Sequence, residues 1–305
     1  TESLFRGEDG KLYQFRVRAV DRAGNQGPFQ TGNEITVDIS PPDAVTDLRT
    51  ESRAGGDIAL TWSPAADQSS GLSHYNIYRS PAPDLLGEKV SEEGRVREPG
   101  WLERGANLSD GAVYYYTVQA VDMMGHEQAV GNHRVPGLCA KSVDAPVVVS
   151  PTHPSIGRWY KNNRPAFSWL APTALTGLAG YWYEMGGEGT PLGEGRGIWT
   201  TKPEASFPPQ KDGVYTFRVV AQDKAGNVSR EEGRFTVRMD ITAPEPPRIS
   251  WTSHPDSESW YRSMDLKIRL ESEDHASGLA GFYCLVDQKP ETKPGDGEVL
   301  FVDPG

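Results

Sequence analysis

The 305-residue chain is 36% hydrophobic, contains 33 glycines and 24 prolines, and carries a formal net charge of −11. This composition is typical of a soluble, loop-rich chain of about three domains. The acidic balance argues against nucleic acid or an anionic membrane surface as a partner, because both repel negative charge. No apolar run reaches the ~18 residues that a membrane-spanning helix needs, so we expect no membrane insertion.

The first predicted element is a strand that recurs twice further along the chain. Its three copies are YQFRVRAVDRAGN (Tyr13–Asn25), YYTVQAVDMMGH (Tyr115–His126) and YTFRVVAQDKAGN (Tyr215–Asn227), with Tyr13, Tyr114 and Tyr215 spaced 101 residues apart. Apolar and polar residues alternate, which predicts a strand with one face on a core and the other in water. A period of about 100 residues is that of an immunoglobulin-like sandwich. The predicted fold is therefore all-β: tandem β-sandwiches in an elongated array.

Each copy of the repeated strand ends in an aspartate that precedes a glycine: Asp21, Asp122 and Asp223. An Asp-x-x-Gly sequence after a strand predicts a tight hairpin turn, since glycine or asparagine supplies the left-handed backbone conformation. These carboxylates could also bind an ion. Because a turn already accounts for them, we interpret them as turn residues.

A second register lies upstream of the repeated strand. Trp62, Trp169 and Leu270 each end a predicted strand and are followed by a loop with SGL or TGL and by an aromatic strand. Proline clusters in ISPPDA, DAPVVV and ITAPEPP mark edges or linkers, because proline cannot donate to a sheet. The linkers are short, which predicts stiff joints. The predicted modules are the end of one sandwich (1–40), two whole domains (41–143 and 144–243) and the start of a fourth (244–305).

The two cysteines, Cys139 and Cys284, lack the spacing of metal ligands. Cys284 shares its register with Tyr183 and Ile77, which are predicted to point inward, so we expect a buried free thiol. Cys139 lies in a linker. A disulfide between them is not expected because they belong to different repeats, and scarce cysteine is compatible with an extracellular setting for domains of this size.

Residues 41–137 resemble a fibronectin type III domain in four features. These are the opening SPPDAVTDL, Trp62, the YNIY strand, and Leu108 placed six residues before Tyr114. The resemblance implies that Tyr114 is a tyrosine corner whose hydroxyl bonds to the backbone a few residues upstream. Tyr13 and Tyr215 occupy the same structural position in their repeats.

The segments 144–305 and 1–40 resemble immunoglobulin-like repeats of bacterial and archaeal surface proteins. The resemblance is carried by THPSIGRWYKNNRPAFSW, TGLAGYWYEM and DGVYTFRVVAQDKAGN. It implies an extracellular or cell-surface location. It says little about biochemistry, since a sandwich hosts many functions.

The two ends of the chain fit each other in sequence. The chain starts at Thr1 without a signal peptide, so we expect a processed chain or a piece of a longer one. Joined tail to head, Tyr215 and Tyr13 would lie 103 residues apart, against the internal 101. We expect residues 244–305 to be completed by residues 1–40 of a neighbouring unit or of the next period. Strand exchange between copies or continuation of a longer polypeptide would build a fibre; closure within one chain and an arbitrary fragment are the alternatives.

Motifs of catalysis are absent from the sequence. It contains no GxSxG, HExxH, Walker or GxGxxG pattern, and none of the six histidines has metal-pair spacing. Carboxylates are plentiful, but nothing singles out a pair for acid–base chemistry. We therefore expect no catalytic residues, no cofactor and no enzymatic activity.

The candidate binding residues are two adjacent aromatic pairs, Trp159–Tyr160 and Trp260–Tyr261, which recur 101 residues apart. In a strand one member of each pair must face outward, where it can stack on a polysaccharide or pack at a joint between domains. Asp67 and Asp274 lie in the SGL loops and are candidate Ca²⁺ ligands. The loop of the third copy lacks this aspartate, which weakens that hypothesis.

The sequence thus favours a non-catalytic extracellular structural protein that forms a fibre, sheath or stalk by head-to-tail association. Its expected partners are copies of itself or adjacent repeats of the same polypeptide. The alternative is an adhesin or carbohydrate-binding spacer within a larger secreted or surface protein, with polysaccharide as the partner. The aromatic pairs carry that alternative.

Overall fold

The computed structural model describes residues 2–131, 134–186, 191–256, 258–285 and 300–302. They fall into two compact units. The first comprises Thr1–Asp144, Thr173–Ala179 and Gln222–Arg230, and the second comprises Ala145–Pro172, Gly180–Ala221 and Glu231–Gly305. Within the described residues the regular elements are β-strands apart from two short 3₁₀ turns, Ala54–Gly56 and Gly105–Asn107. The predicted all-β class is confirmed.

The first unit holds a two-stranded ribbon and a two-sheet sandwich. Its strands are β1 (Leu12–Val17), β2 (Gln30–Thr36), β3 (Thr46–Ser52), β4 (Ile58–Ser63), β5 (Leu72–Ser80), β6 (Glu88–Lys89), β7 (Gly100–Glu103), β8 (Val113–Asp122) and β9 (Val135–Leu138). The order β3-β4-β7 forms one sheet and β6-β5-β8-β9 the other, with β1 and β2 paired as a ribbon. All these pairs are antiparallel.

The core of this sandwich follows from the period-2 pattern. Ile58, Leu60 and Trp62 alternate inward from β4 and are at most 6% exposed. The ring of Trp62 meets Tyr75 of the opposite sheet edge-on, with centroids 5.2 Å apart. Such aromatic pairs contribute about 0.5–1.5 kcal/mol beyond their area burial. The two sheets are therefore held together by side chains that the sequence pattern identifies.

The second unit contains another sandwich and two further ribbons. Its strands are β10 (Val147–Val149), β11 (Trp159–Tyr160), β12 (Ala166–Leu170), β13 (Leu178–Met185), β14 (Ile198–Thr200), β15 (Glu204–Ser206), β16 (Gly213–Asp223), β17 (Gly233–Met239), β18 (Arg248–Trp251), β19 (Ile268–Glu271), β20 (Phe282–Cys284) and β21 (Leu300–Val302). The sandwich sheets are β10-β12-β15 and β11-β17-β16-β13-β14, and the ribbons are β18-β19 and β20-β21. Strand β11, which contains the predicted Trp–Tyr pair, runs parallel to β17.

The core of the second sandwich is aromatic. Phe167 and Phe217 stack with centroids 4.2 Å apart and planes 9° apart, and Trp169 lies 5.7 Å from Phe217. All three are at most 4% exposed. Arg218, which the alternation places on the water-facing side of β16, is only 1% exposed. The expectation of a solvated outer face fails here because the guanidinium binds Glu184 on β13 and Glu232 directly before β17.

The repeated strand is buried in two copies and exposed in one. Phe217 in β16 is fully buried, whereas the equivalent Phe15 in β1 is 45% exposed and Val17 is 65% exposed. The reason is that β1 is part of a two-stranded ribbon, which cannot cover either of its own faces. For the same reason Cys284 in β20 is half-buried rather than buried, while Cys139 is fully buried; both are free thiols.

Candidate functional site

Three aspartates fasten the segments that follow the repeats. Asp9 Oδ1 accepts a hydrogen bond from Ile39 N (2.8 Å) and Oδ2 from Ser40 Oγ (2.6 Å). Asp110 does the same with Lys141 N (2.8 Å) and Ser142 Oγ (2.5 Å), and Asp212 with Ile241 N (2.7 Å) and Thr242 Oγ1. We call these three arrangements the linker clamps. Each fixes the backbone at the start of a linker to the turn that precedes the repeated tyrosine.

The same hydrogen bonds keep the clamp carboxylates ionised. The hydroxyl of Ser40 lowers the pKa of Asp9, with the backbone N–H of Ile39 as the next contribution. Ser142 and Thr242 likewise lower the pKa of Asp110 and of Asp212. A hydrogen bond to a charged acceptor is stronger than one to a neutral acceptor, so ionisation and clamping support each other.

The repeated tyrosines lie beside the clamps and bind the backbone. The hydroxyl of Tyr114 accepts a hydrogen bond from Ser109 N (3.1 Å), and that of Tyr13 accepts one from Glu8 N (2.8 Å). The hydroxyl of Tyr215 instead donates to Lys211 O (3.1 Å). In each case the partner lies four or five residues upstream, so the phenol pins the loop that carries the clamp aspartate.

The repeated turn aspartates also bind their own turns. Asp21 Oδ1 accepts hydrogen bonds from Ala23 N (2.9 Å) and Asn25 N (2.8 Å), and Asp223 Oδ1 accepts one from Asn227 N (2.7 Å). Oδ2 accepts a side-chain hydrogen bond from Asn25 or Asn227. In the middle copy His126 takes the place of the asparagine, with Nδ1 at 2.8 Å from Asp122 Oδ2.

The calcium candidates Asp67 and Asp274 each shape an SGL loop. Asp67 Oδ1 accepts hydrogen bonds from Ser69 N (3.2 Å) and Gly71 N (2.6 Å). Asp274 Oδ1 repeats this with Ala276 N (3.2 Å) and Gly278 N (2.7 Å). These are turns closed by an aspartate side chain. Calcium binding by these residues stays a prediction.

In both aromatic pairs the tyrosine binds the backbone upstream of it. The tyrosines are engaged: the hydroxyl of Tyr160 accepts Ser155 N (2.9 Å) and that of Tyr261 accepts Asp256 N (2.9 Å). Their rings lie edge-on to His153 and His254, with centroids 4.9 and 4.4 Å apart. The tryptophans differ in their exposure. Trp260 is fully exposed, and Trp159 is half-buried at the edge of a cleft.

The cleft at Trp159 has a volume of about 380 Å³ and lies within the second unit. We call it the Trp159 cleft. The ionisable residues that line this cleft are Asp212, Asp240, Glu245, Glu273, Asp274 and His275. Arg238 covers Trp159 with its guanidinium carbon 5.8 Å from a ring centroid, and His275 Nε2 lies 3.7 Å from Glu245 Oε1. An aromatic ring among carboxylates offers stacking and hydrogen-bond acceptors, which suit a hydroxyl-rich ligand.

Sequence reasoning missed the clamp aspartates and the pairing of linker with loop. Asp38 Oδ2 accepts Ser70 N (3.1 Å), and Asp240 Oδ2 accepts Ser277 N (3.1 Å), so a linker carboxylate holds the next SGL loop. The signal was present as aspartate–glycine pairs at nearly equal spacing before each repeated tyrosine. In the middle linker Ala140 occupies the position of Asp38 and Asp240, because it directly precedes the clamped Lys141.

Part of the chain is similar to a known family. Residues 196–238 match the family described as Bacterial Ig-like domain. No helix in the part of the chain that the structure covers is long and apolar enough to cross a bilayer.

Similar proteins of known name include two enzymes and one named for its fibronectin domains. The chain is 26% identical to exoglucanase B of Cellulomonas fimi over 74% of this chain and 20% of that protein. It is 24% identical to chitinase A1 of Niallia circulans over 80% and 32%, and 24% identical to fibronectin type-III domain-containing protein 3a of Gallus gallus over 85% and 20%. The chain therefore spans between about a fifth and a third of the length of these relatives. The predicted resemblance to tandem fibronectin type III and immunoglobulin-like repeats is confirmed.

Proposed function

We propose that this array of fibronectin type III-like and immunoglobulin-like repeats is a non-catalytic connecting segment of a larger extracellular protein. It would hold the parts on either side at a set separation. The observation that carries the proposal is the linker clamp, which occurs three times at corresponding positions. A connector that sets a distance needs joints that resist bending. A clamp that fastens the first residues of each linker, together with a short proline-containing linker, supplies that resistance.

The relatives indicate a setting for the connector. Two of them bear the names exoglucanase and chitinase, and this chain matches only a minor part of each. We propose that this chain, too, is part of a protein that acts on polysaccharide outside the cell. The chemistry on that polysaccharide would belong to another part of the protein.

Distance measurements between spin labels test the connector. With Cys139 and Cys284 replaced by alanine, one label is placed in residues 41–143 and another in residues 144–243. The wild-type clamp should give a narrow distance distribution that broadens in Asp110→Ala. The control is Asp84→Ala, which changes an exposed carboxylate outside the clamps. A distribution that is already broad with Asp110 intact would exclude a set separation.

Head-to-tail assembly into a fibre is a second candidate, supported by exposed apolar side chains on the ribbons. Phe15 and Val17 on β1 are 45% and 65% exposed, and Ile249 and Trp251 on β18–β19 are 63% and 47% exposed. Burying such side chains contributes about 1.5–3 kcal/mol each, so a few suffice for a joint. Electron microscopy and sedimentation of the chain should show head-to-tail oligomers that are lost in Phe15→Asp/Val17→Asp. Separate, monodisperse wild-type particles would contradict this candidate.

Polysaccharide binding is a third candidate, supported by the exposed Trp260 and by Trp159 at the edge of its cleft. A pull-down on insoluble glucan and chitin should retain the wild-type chain and lose it in Trp159→Ala or Trp260→Ala. Tyr160→Phe and Tyr261→Phe are the matched controls, because they keep the rings and remove only the hydroxyls that bind the backbone. Unchanged retention in both tryptophan variants would leave these residues with a packing role only.

A further inference from the structure

We propose that Asp38, Asp122 and His126 form a site for a divalent transition cation of the Zn²⁺ class. One ligand atom from each residue lies within 4.8 Å of the other two, and all three belong to the first unit. Ligand atoms on a tetrahedral cation with bonds of ~2.0–2.2 Å lie about 3.3–3.6 Å apart, so a small adjustment of the side chains brings all three atoms to one ion. The site joins a linker, through Asp38, to the turn after β8, through Asp122 and His126.

The turn side of the site is already shaped for a ligand. The side chain of Asp122 is wholly buried, and its Oδ1 accepts the N–H groups of Met124 and His126 at 2.8 Å each. These bonds fix the carboxylate so that Oδ2 faces His126 Nδ1, 2.8 Å away. Two donor atoms at this distance can bind adjacent positions of one cation. His126 is 36% exposed, which gives a cation a path from solvent.

The linker side is held in the same manner. Asp38 Oδ1 accepts Ser40 N (3.2 Å) and Oδ2 accepts Ser70 N (3.1 Å). Each carboxylate oxygen has two lone pairs, so these single hydrogen bonds leave acceptor positions free for a cation. The linker clamp at Asp9 holds the next residues, Ile39 and Ser40, which fixes the position of Asp38.

The other copies of the turn show that histidine is not needed to make it. Asn25 and Asn227 stand in the place of His126, and each donates its amide N–H to the turn aspartate. Histidine therefore keeps the side-chain contact and adds a nitrogen that can bind a metal. The linker also differs, because Ala140 stands in the position of Asp38 in the next repeat and offers no ligand atom from its side chain. Among the described residues, this joint alone combines a linker aspartate with an aspartate and a histidine of the turn.

The donor set selects the class of cation. Ca²⁺ takes six to eight oxygen ligands, and an imidazole is a poor member of such a set. Imidazole with carboxylates suits Zn²⁺ and neighbouring first-row cations, with water in the remaining positions. A bound cation would replace several weak contacts by bonds to both the linker and the turn. It would therefore stiffen this joint to an extent that rises with the free cation concentration until the site is filled.

Zinc titration of the whole chain tests the site. After dialysis against EDTA, calorimetry with ZnCl₂ should give one site per chain, and Zn²⁺ should raise the midpoint of thermal unfolding. His126→Asn copies the turn of the other repeats, so the fold is retained. It should weaken Zn²⁺ binding by more than about tenfold, because even the loss of outer-shell partners costs about 10–100-fold. Asp38→Asn should have a similar effect, since the amide oxygen still accepts Ser70 N.

Two further readouts separate this site from other histidines. His275→Asn, which changes an exposed histidine beside Glu245, should leave Zn²⁺ binding unchanged. Co²⁺ bound to the wild-type chain should show a visible absorption spectrum that changes in His126→Asn. Equal Zn²⁺ affinity in the wild type and His126→Asn would overturn the proposal, and so would the absence of binding to the wild type at millimolar Zn²⁺.

Discussion

The buried charge of Arg218 limits which substitutions the second sandwich tolerates. Arg218 is 1% exposed and its guanidinium bonds to Glu184 and to Glu232, the latter at 3.0 Å. Burial alone would raise the pKa of Glu184, but hydrogen bonds from Arg218 and Arg196 lower it. The three charges therefore depend on one another inside the sheet, and removal of Arg218 leaves Glu184 and Glu232 with only the more exposed Arg196 and Arg234 as partners.

Arg218→Met should lower the free energy of unfolding of the second unit by about 3–5 kcal/mol, the usual cost of removing one partner of a buried ion pair. The matched control is Arg234→Met. Arg234 pairs with the same Glu232 at 2.9 Å but is 59% exposed, so its loss should cost no more than about 1 kcal/mol. Urea denaturation measures both values. Equal losses in the two variants would show that burial does not set the cost.

Tyr116 offers a neutral counterpart in the first unit. Its buried hydroxyl donates to Glu103, which also binds Arg79, and burial together with Glu103 raises the pKa of Tyr116. Tyr116→Phe should destabilise the unit by about 1–3 kcal/mol, because a half-satisfied carboxylate stays behind. Tyr115→Phe, on the opposite face of the strand, should change the unfolding free energy by less than about 0.5 kcal/mol. A larger effect at Tyr115 than at Tyr116 would contradict this interpretation.

At the scale of elements, the linker clamps predict a pH dependence. The pKa values of Asp9, Asp110 and Asp212 are lower in the folded chain than in the unfolded one. Their contribution is therefore complete above the unfolded value, about pH 4, and is lost as the pH falls through the folded value. The backbone amide of Lys141 should become more mobile by NMR relaxation between pH 6 and pH 2–3.

Two variants at Asp110 separate the carboxylate from its charge. Asp110→Asn keeps an acceptor for Lys141 N, so it should hold the linker at neutral pH and lose the pH dependence. Asp110→Ala should release the linker at every pH. If Lys141 is equally rigid in the alanine variant, the clamp does not hold the linker.

Sequence patterns predicted strands well and side-chain partners poorly. Alternation identified β8 and β16, and the tryptophan register located the ends of β4 and β12, because burial of apolar residues imposes a period on the chain. The same alternation predicted a water-facing Arg218, because a pattern along one strand contains no information about charges on neighbouring strands. The joint of Asp38 with His126 was also out of reach, because these residues are 88 positions apart and neither belongs to a known motif.

At the scale of the whole molecule, the repeated strand has two environments in one chain. Phe15 and Phe217 have the same register, yet the first is 45% exposed and the second fully buried. Phe217→Ala should cost about 3–5 kcal/mol in the second unit. Phe15→Ala should leave the unfolding of both sandwiches within about 0.5 kcal/mol of the wild type. Thermal and urea unfolding test the pair, and a loss of several kcal/mol from Phe15→Ala would mean that another part of the chain covers the ribbon.

The buried thiol of Cys139 is a built-in probe of local opening in the first unit. Burial raises the pKa of Cys139, and the sulfur is enclosed in the core of the first sandwich beside the Asp110 clamp, so a thiol reagent can reach it only when this edge of the sandwich opens. Half-buried Cys284 would react earlier, and its labelling rate would serve as the internal reference for the reagent. The ratio of the two labelling rates would then report how often this edge of the first sandwich opens under load, in acid or with added metal, without any introduced probe.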